Sequence, residues 1–71
     1  MYYVKFTIKD LNTKERKTKE SPLLENYNIA SKIVADYLEN TKNVINIKSL
    51  GYGNYKVLKN GGEIKVEILK K

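Results

Sequence analysis

Asn60-Gly61 separates two segments in which apolar and polar residues alternate. Asn-Gly is favoured at the two central positions of a type I′ β-hairpin, because both positions need a positive φ. With the turn at this place, Val57 faces Ile64 across the hairpin. Tyr55 then faces Val66 on the same side, whereas a shift of one residue would place a lysine opposite an isoleucine. The sequence therefore predicts a hairpin with one apolar face and a defined register.

The N-terminal segment, residues 2–9, also alternates strictly, which predicts a strand buried on one side. Turn residues follow it, and residues 14–20 then contain no apolar side chain at all. This charged segment is either an edge strand paired with the first strand or a solvated loop. We favour the edge strand, where charge discourages aggregation between sheet edges.

A further strand is predicted at residues 44–50, which are rich in β-branched side chains. Two assignments of its inward face remain open. The first points Ile45 and Ile47 toward the core. The second points Val44 and Leu50 inward.

One amphipathic helix is predicted between the two groups of strands. Ser21-Pro22 indicates its start, since serine caps free backbone N–H groups and proline suits the first helical position. An alternative start lies at Asn28, and residues 40–43 break the periodicity at the other end. The three-and-four spacing is typical of a helix with one buried stripe. The stripe consists of Leu23, Tyr27, Ala30, Ile33, Val34, Tyr37, Leu38 and Thr41.

These elements predict a small two-layer α+β domain in the order β-β-α-β-β-β. A mostly antiparallel sheet of four to five strands carries one helix packed on one face. Residues 1–71 form a single domain, because nothing in the sequence marks a linker, a repeat or a low-complexity tract. A domain of this size buries only about 60% of the surface of its unfolded chain, so we expect modest stability.

The chain has no cysteine and no histidine. Their absence excludes disulfides, thiolate zinc sites, cysteine nucleophiles and histidine general bases. Asp36 and Glu39, three residues apart on the helix, make a weak site for a divalent cation without further ligands. We therefore expect no enzyme, no metal or other cofactor, and no small-molecule substrate. The apolar runs are only about three residues long, too short for a membrane span, which predicts a soluble cytoplasmic protein.

The net charge is +6, from 14 basic and 8 acidic residues. The strand segments carry the excess of lysine, whereas the helix region is slightly acidic. Such a balance favours nucleic acid or an acidic protein as the partner. Only one basic residue is arginine, the residue type that binds guanine or phosphate bidentately. Part of the lysine excess is also expected from an AT-rich genome, because asparagine and isoleucine are frequent too.

The exposed face of the predicted sheet is the candidate binding surface. Because the helix covers the apolar face, alternation places lysine and tyrosine on the other one. Lysines there would neutralise phosphates, and tyrosines between them would offer stacking planes. The sequence thus predicts a nucleic-acid-binding accessory protein with mostly non-specific phosphate contacts. The candidate residues on this face are Tyr3, Lys5, Lys9, Lys48, Tyr52, Lys56 and Lys65, and the charged segment before the helix adds Arg16 and Lys17 as an arm that contacts phosphates.

Residues 51–55, Gly-Tyr-Gly-Asn-Tyr, raise the question of a phosphate-binding loop. The segment lacks the Lys-Ser/Thr of a P-loop and leads into a strand, where that loop needs a helix N-terminus. The glycines therefore predict a turn or bulge between two strands. Alternation along the hairpin predicts that Tyr55 points into the core and that Tyr52 points outward, beside Lys56.

A second hypothesis is a protein–protein interaction or inhibitor module, including a homodimer formed through the sheet face or a strand edge. Lysine and threonine on an exposed face also simply keep a two-layer domain soluble. Small size, a lack of catalytic groups and AT-rich residue usage are typical of accessory proteins from phages or mobile elements. Salt dependence separates the two hypotheses, because phosphate binding weakens steeply with salt.

Overall fold

The computed structural model describes residues 1–71 and contains one helix and five strands. The elements are β1 (Tyr2–Asp10), β2 (Arg16–Glu20), α1 (Tyr27–Asn40), β3 (Val44–Gly51), β4 (Asn54–Lys59) and β5 (Gly62–Lys70). All strands belong to one antiparallel sheet in the order β2-β1-β5-β4-β3. The predicted α+β class and the order β-β-α-β-β-β are confirmed.

β1 and β5 pair along nine residues at the centre of the sheet, from Tyr2 opposite Lys70 to Asp10 opposite Gly62. β2 adds to the free side of β1, and β4 and β3 follow beyond β5. The last strand of the chain therefore lies in the middle, and β2 and β3 are the two edges. The charged segment at residues 16–20 is an edge strand, as predicted.

The face of the sheet toward α1 forms the core. Each of its buried valine and isoleucine side chains contributes about 1.5–3 kcal/mol. α1 lies over β1 and β5, and none of its Cα atoms comes within 8 Å of β2, β3 or β4. The β3–β4 hairpin therefore lies to one side of α1, and Val57 is its buried residue. The buried residues are Val4, Ala30, Val34, Val57, Ile64 and Val66.

The predicted register of the C-terminal hairpin is confirmed. Val57 lies opposite Ile64, and Tyr55 lies opposite Val66 and packs against the core. The type I′ prediction for its turn is wrong, because Asn60 lacks a positive φ and only the following glycine has one, at 83°. Hydrogen bonds to neighbouring loops shape this turn: its glycine carbonyl accepts from the β1–β2 turn at 3.0 Å, and its asparagine N–H donates to the α1–β3 loop at 3.4 Å.

The predicted helix start at Ser21-Pro22 is wrong, because this segment runs alongside β1. Leu24 forms an antiparallel bridge with Tyr2, with N···O distances of 2.7 and 2.8 Å. The Ser21 hydroxyl accepts a hydrogen bond from the Val4 N–H at 2.9 Å instead of capping a helix. Pairing with the neighbouring strand thus overrides the local helix-start signal.

α1 is instead capped by Asn26, whose Oδ1 accepts a hydrogen bond from the Ile29 N–H at 3.0 Å. The helix ends at Asn40, inside the predicted break, and Thr41 is the C-cap. Two members of the predicted stripe, Leu23 and Thr41, therefore lie outside the helix. The alternative start at residue 28 is one residue from the observed one.

Both predicted assignments of β3 are wrong, because a bulge shifts the register between Val44 and Asn46. Val44 packs against the core, and Ile47 lies opposite a buried valine of β4 on the helix side. Ile45, the extra residue, is 65% exposed. Leu50 lines the opposite face after a second register shift. Regular alternation cannot point both Val44 and Ile47 inward, so only the bulge allows this combination.

The β1–β2 turn depends on Asp10, whose Oδ1 accepts hydrogen bonds from the N–H groups of Asn12 at 2.8 Å and Thr13 at 3.1 Å. The bond from Thr13, followed by that from Asn12, lowers the pKa of the Asp10 carboxyl. This carboxylate therefore stabilises the fold above its unfolded pKa, and the contribution is lost as the pH falls through the folded pKa. The turn brings Arg16 opposite Lys9.

The β3–β4 hairpin turns at Tyr52-Gly53, where φ is positive at both positions, 53° and 78°. These values fit a type I′ turn. A Cβ atom added at Gly53 would lie 2.6 Å from Tyr27 Oη and 2.8 Å from Ile68 Cδ1. The turn therefore packs its backbone against side chains of α1 and β5, which positions the part of the hairpin that the helix does not cover.

Replacing Asn26 by alanine removes the N-cap hydrogen bond, and we expect the free energy of unfolding to fall by about 1 kcal/mol. Urea denaturation followed by circular dichroism measures this loss. Asn28→Ala is the control, because Asn28 is exposed in the first helical turn and makes no side-chain hydrogen bond. Its stability should stay the same or rise slightly. Equal losses in both variants would contradict the cap at Asn26.

Gly53→Ala should destabilise the protein more than Gly51→Ala. Both substitutions place alanine at a positive φ, which costs about 1–2 kcal/mol. Only Gly53→Ala also creates a steric clash, because nothing lies within 4 Å of a Cβ at Gly51. Because the clash is with the ends of two side chains, their displacement should add at most about 1 kcal/mol, the lower end of the cost of overpacking. Thermal unfolding of the two variants measures the difference, and equal melting temperatures would show that the turn does not pack as described.

Candidate nucleic-acid interface

The outer face of the sheet, away from α1, carries one basic residue from each strand in a continuous path. Lys65 of β5 lies directly opposite Lys56 of β4, and Lys56 lies directly opposite Lys48 of β3. Arg16 of β2 lies opposite Lys9 of β1, which is diagonal to the lysine of β5. We call this path the basic track: Arg16, Lys9, Lys65, Lys56 and Lys48.

The track crosses the whole sheet. Neighbouring strands are about 4.8 Å apart, so five strands give a path of about 19 Å. Within it, Lys48, Lys56 and Lys65 stand in one row, and side chains directly opposite have Cβ atoms about 4.5–5.5 Å apart. Like charges in this arrangement destabilise a sheet. This lysine row therefore costs folding free energy instead of contributing to it.

Two glutamates beside the lysine row offset part of the repulsion. Lys56 Nζ lies 3.2 Å from Glu63 Oε1, and Lys65 Nζ lies 3.9 Å from Glu67 Oε2. Both lysine side chains are 49% exposed, and surface pairs of this kind contribute about 0–1 kcal/mol. Lys48 has no acidic partner within 4.0 Å. The ammonium group of Lys48 is therefore unpaired, and those of Lys56 and Lys65 form only weak ion pairs with glutamates.

A shallow, open cavity of about 480 Å³ lies over this face. Only one of its eight lining residues is hydrophobic. Sites for drug-like small molecules are concave and mostly apolar, so this lining suits a solvated anion better. The lining residues are Thr7, Lys9, Arg16, Leu50, Lys56, Glu63, Lys65 and Glu67.

Lys5 completes the basic residues of the outer face and lies between Glu20 and Glu67 on the neighbouring strands. The face therefore carries six basic residues, the track and Lys5, against three glutamates: Glu20, Glu63 and Glu67. Its net charge is positive. The positive charge is strongest at the lysine row, where no glutamate interrupts the lysines.

Most of the predicted candidates share this face. Lys17 does not, because it lies opposite Ile8 on the helix side of the sheet, as its alternation with Arg16 requires. Tyr52 also does not lie beside Lys56 as predicted. It occupies the β3–β4 turn and is 91% exposed. The residues that the sheet does bring to one face are Tyr3, Lys5, Lys9, Arg16, Lys48, Lys56 and Lys65.

Tyr3 is the aromatic residue of the outer face and lies opposite Leu69 near one end of β1. Thr7, in line with the lysine row, is four residues further along the strand, about 14 Å away. The prediction that tyrosines alternate with the lysines is therefore wrong for the basic track. Base stacking on this face is limited to one ring at its periphery.

The predicted candidate set omitted four residues that line the cavity, Thr7, Leu50, Glu63 and Glu67. A signal for the two glutamates was present, because they alternate with Ile64 and Val66, which are buried. A signal for Leu50 was present too, because it lies two residues after Lys48, which was placed on the outer face. The assignment that points Val44 and Leu50 inward conflicted with it.

Comparison of the chain with protein-family models, curated proteins and solved structures found no match. No helix of the chain has the length and apolar character needed to cross a membrane. The acidic residues form no group of three that could hold a metal ion. The geometry of the outer face is therefore the basis for assigning a function.

Lys48→Thr should raise the free energy of unfolding by a few tenths to about 1 kcal/mol, because it removes a like-charge neighbour of Lys56. The gain should shrink as salt screens the repulsion. Urea denaturation at low and high salt measures both effects. Lys42→Thr makes the same change of net charge in the α1–β3 loop and controls for it. An equal gain from Lys42→Thr would show that the row causes no specific repulsion.

Proposed function

We propose that the protein is a cytoplasmic accessory protein that binds nucleic acid through the basic track, with mostly sequence-independent phosphate contacts. The observation that carries this proposal is the lysine row, in which Lys56 stands between Lys48 and Lys65 on the neighbouring strands. A face that only kept the domain soluble would gain from alternating charges. A bound polyanion would place negative charges beside the three lysines, and its attraction to them would offset their mutual repulsion.

The chemistry of the row supports phosphate as the ligand. Each ammonium group offers three hydrogen-bond donors. Lys48 has no competing carboxylate, and the exposed pairs of Lys56 and Lys65 with glutamates can exchange for phosphate at small cost. Release of condensed counterions from the nucleic acid adds a favourable term that falls with salt.

The composition of the track supports non-specific binding. Lysine acts as a point charge, whereas reading of guanine by two parallel hydrogen bonds is favoured by arginine. The only arginine of the track, Arg16, lies at its β2 end. Tyr3 offers one stacking plane outside the track. Phosphate contacts therefore dominate the proposed interface.

Lys56→Glu should weaken binding of single- or double-stranded oligonucleotides about tenfold or more at low salt, because it reverses the charge at the centre of the row. The slope of log affinity against log salt should fall by about 1. Mobility-shift titrations at two salt concentrations measure both. Lys17→Glu is the matched control, since it changes the net charge equally on the other face of the sheet.

The proposal fails if the protein retains neither DNA nor RNA at about 50 mM salt. It also fails if Lys56→Glu and Lys17→Glu weaken binding equally, because the outer face would then have no special part. The alternative is the protein–protein interaction or inhibitor module. Its binding would depend far less on salt.

A further inference from the structure

The two edges of the sheet differ in how they are protected. β2 has the sequence Arg-Lys-Thr-Lys-Glu, and four of its five side chains are charged. β3 has eight residues and one charged side chain, Lys48. Charged residues on an edge strand prevent pairing with another strand. The β2 edge is therefore blocked, and the β3 edge is open.

Apolar side chains are exposed around the open edge. Five of the ten large hydrophobic residues that the protein exposes belong to the β3–β4 hairpin. Ile47, at the middle of β3, is 43% exposed although its neighbour on β4 is buried. The five residues are Ile45, Ile47, Leu50, Tyr52 and Leu58. No Cα atom of α1 comes within 8 Å of β3 or β4.

We infer that β3 pairs with β3 of a second copy of the chain, antiparallel and centred on Ile47, to form a dimer with a continuous ten-stranded sheet. In this arrangement Ile47 of each copy faces Ile47 of the other on the helix side. Lys48 of each copy faces Asn46 of the other on the outer face. The ladder uses residues 46–48, which lie within the part of β3 that pairs regularly with β4 between its two bulges.

The sequence of β3 favours this register over its neighbours. Residues directly opposite must lie on the same face, so the pairing can shift only in steps that keep alternation. Centring the pair on Lys48 would set Lys48 against Lys48 and cost free energy. Centring it on Asn46 would draw the bulge at Ile45 into the ladder. Only the register centred on Ile47 avoids both.

A second copy fits this edge because the register centred on Ile47 joins two exposed isoleucines and places each Lys48 opposite a neutral asparagine instead of a lysine. Each position that contacts another is contacted by it in return, which is the requirement of a two-fold interface. The dimer would also bring the two basic tracks together, with the Lys48 residues diagonal at about 7–8 Å. A role of the two joined tracks in binding nucleic acid rests on the proposed function, whereas the pairing of the edges does not.

Sedimentation of the protein without nucleic acid, over a concentration series, tests the pairing. We expect a dimer of twice the 8.2 kDa chain. Asn46→Glu should tighten it about fivefold, because two Glu–Lys pairs form across the interface, and Asn46→Lys should weaken it about fivefold by opposing lysines. Asn28→Glu and Asn28→Lys change the net charge equally on α1, away from β3, and should shift the equilibrium much less.

Salt distinguishes this inference from the proposed function. Two copies of net charge +6 repel each other, so the dimer should tighten as salt rises, whereas nucleic-acid binding should weaken. A mass of one chain at every concentration would overturn the inference and leave the edge for a strand of another protein. A dimer that responds alike to the Asn46 and Asn28 variants would overturn the β3 interface. Loss of nucleic-acid binding in Lys56→Glu with an intact dimer would leave the inference standing.

Discussion

β1 and β5 pair along nine residues at the centre of the sheet. β2, β4 and α1 attach to these two strands, and β3 attaches through β4. Their register decides what each face carries. Phe6 lies opposite Val66 and forms part of the layer beneath α1. One residue further along, Thr7 lies opposite Lys65 on the outer face. A slip by one residue would exchange the two faces and destroy the core and the basic track together.

The lysine row on the outer face lowers the free energy of unfolding of a small domain. The core contains six buried residues, and a domain of this size has little free energy of folding to spare. It nevertheless places Lys56 between two lysines, with only exposed pairs to glutamate as compensation. The same contrast appears at the edges, where β2 is blocked by charge and β3 is not. Both features would become favourable with the anion and the strand that we propose as their partners.

The strands, the single helix and the register of the C-terminal hairpin were predictable, because each depends on alternation or on three-and-four spacing within one segment. The errors arose where another part of the chain intervenes. Ser21-Pro22 has the composition of a helix start, but its segment pairs with β1. Asn60 suits a type I′ turn, yet neighbouring loops hold it in another form. Local preferences of a fraction of a kcal/mol up to about 1 kcal/mol yield to such tertiary contacts.

By itself, the sequence determined which side chains alternate, and therefore that Lys5, Lys9, Lys56 and Lys65 avoid the core, whereas the face of Lys48 stayed open. It could not determine which of them are neighbours. The order β2-β1-β5-β4-β3 and the bulges of β3 are set by pairing between distant segments, and no local pattern encodes that pairing. Only the tertiary structure decided that three lysines form one row, that Arg16 joins them, and that Lys17 and Tyr52 do not.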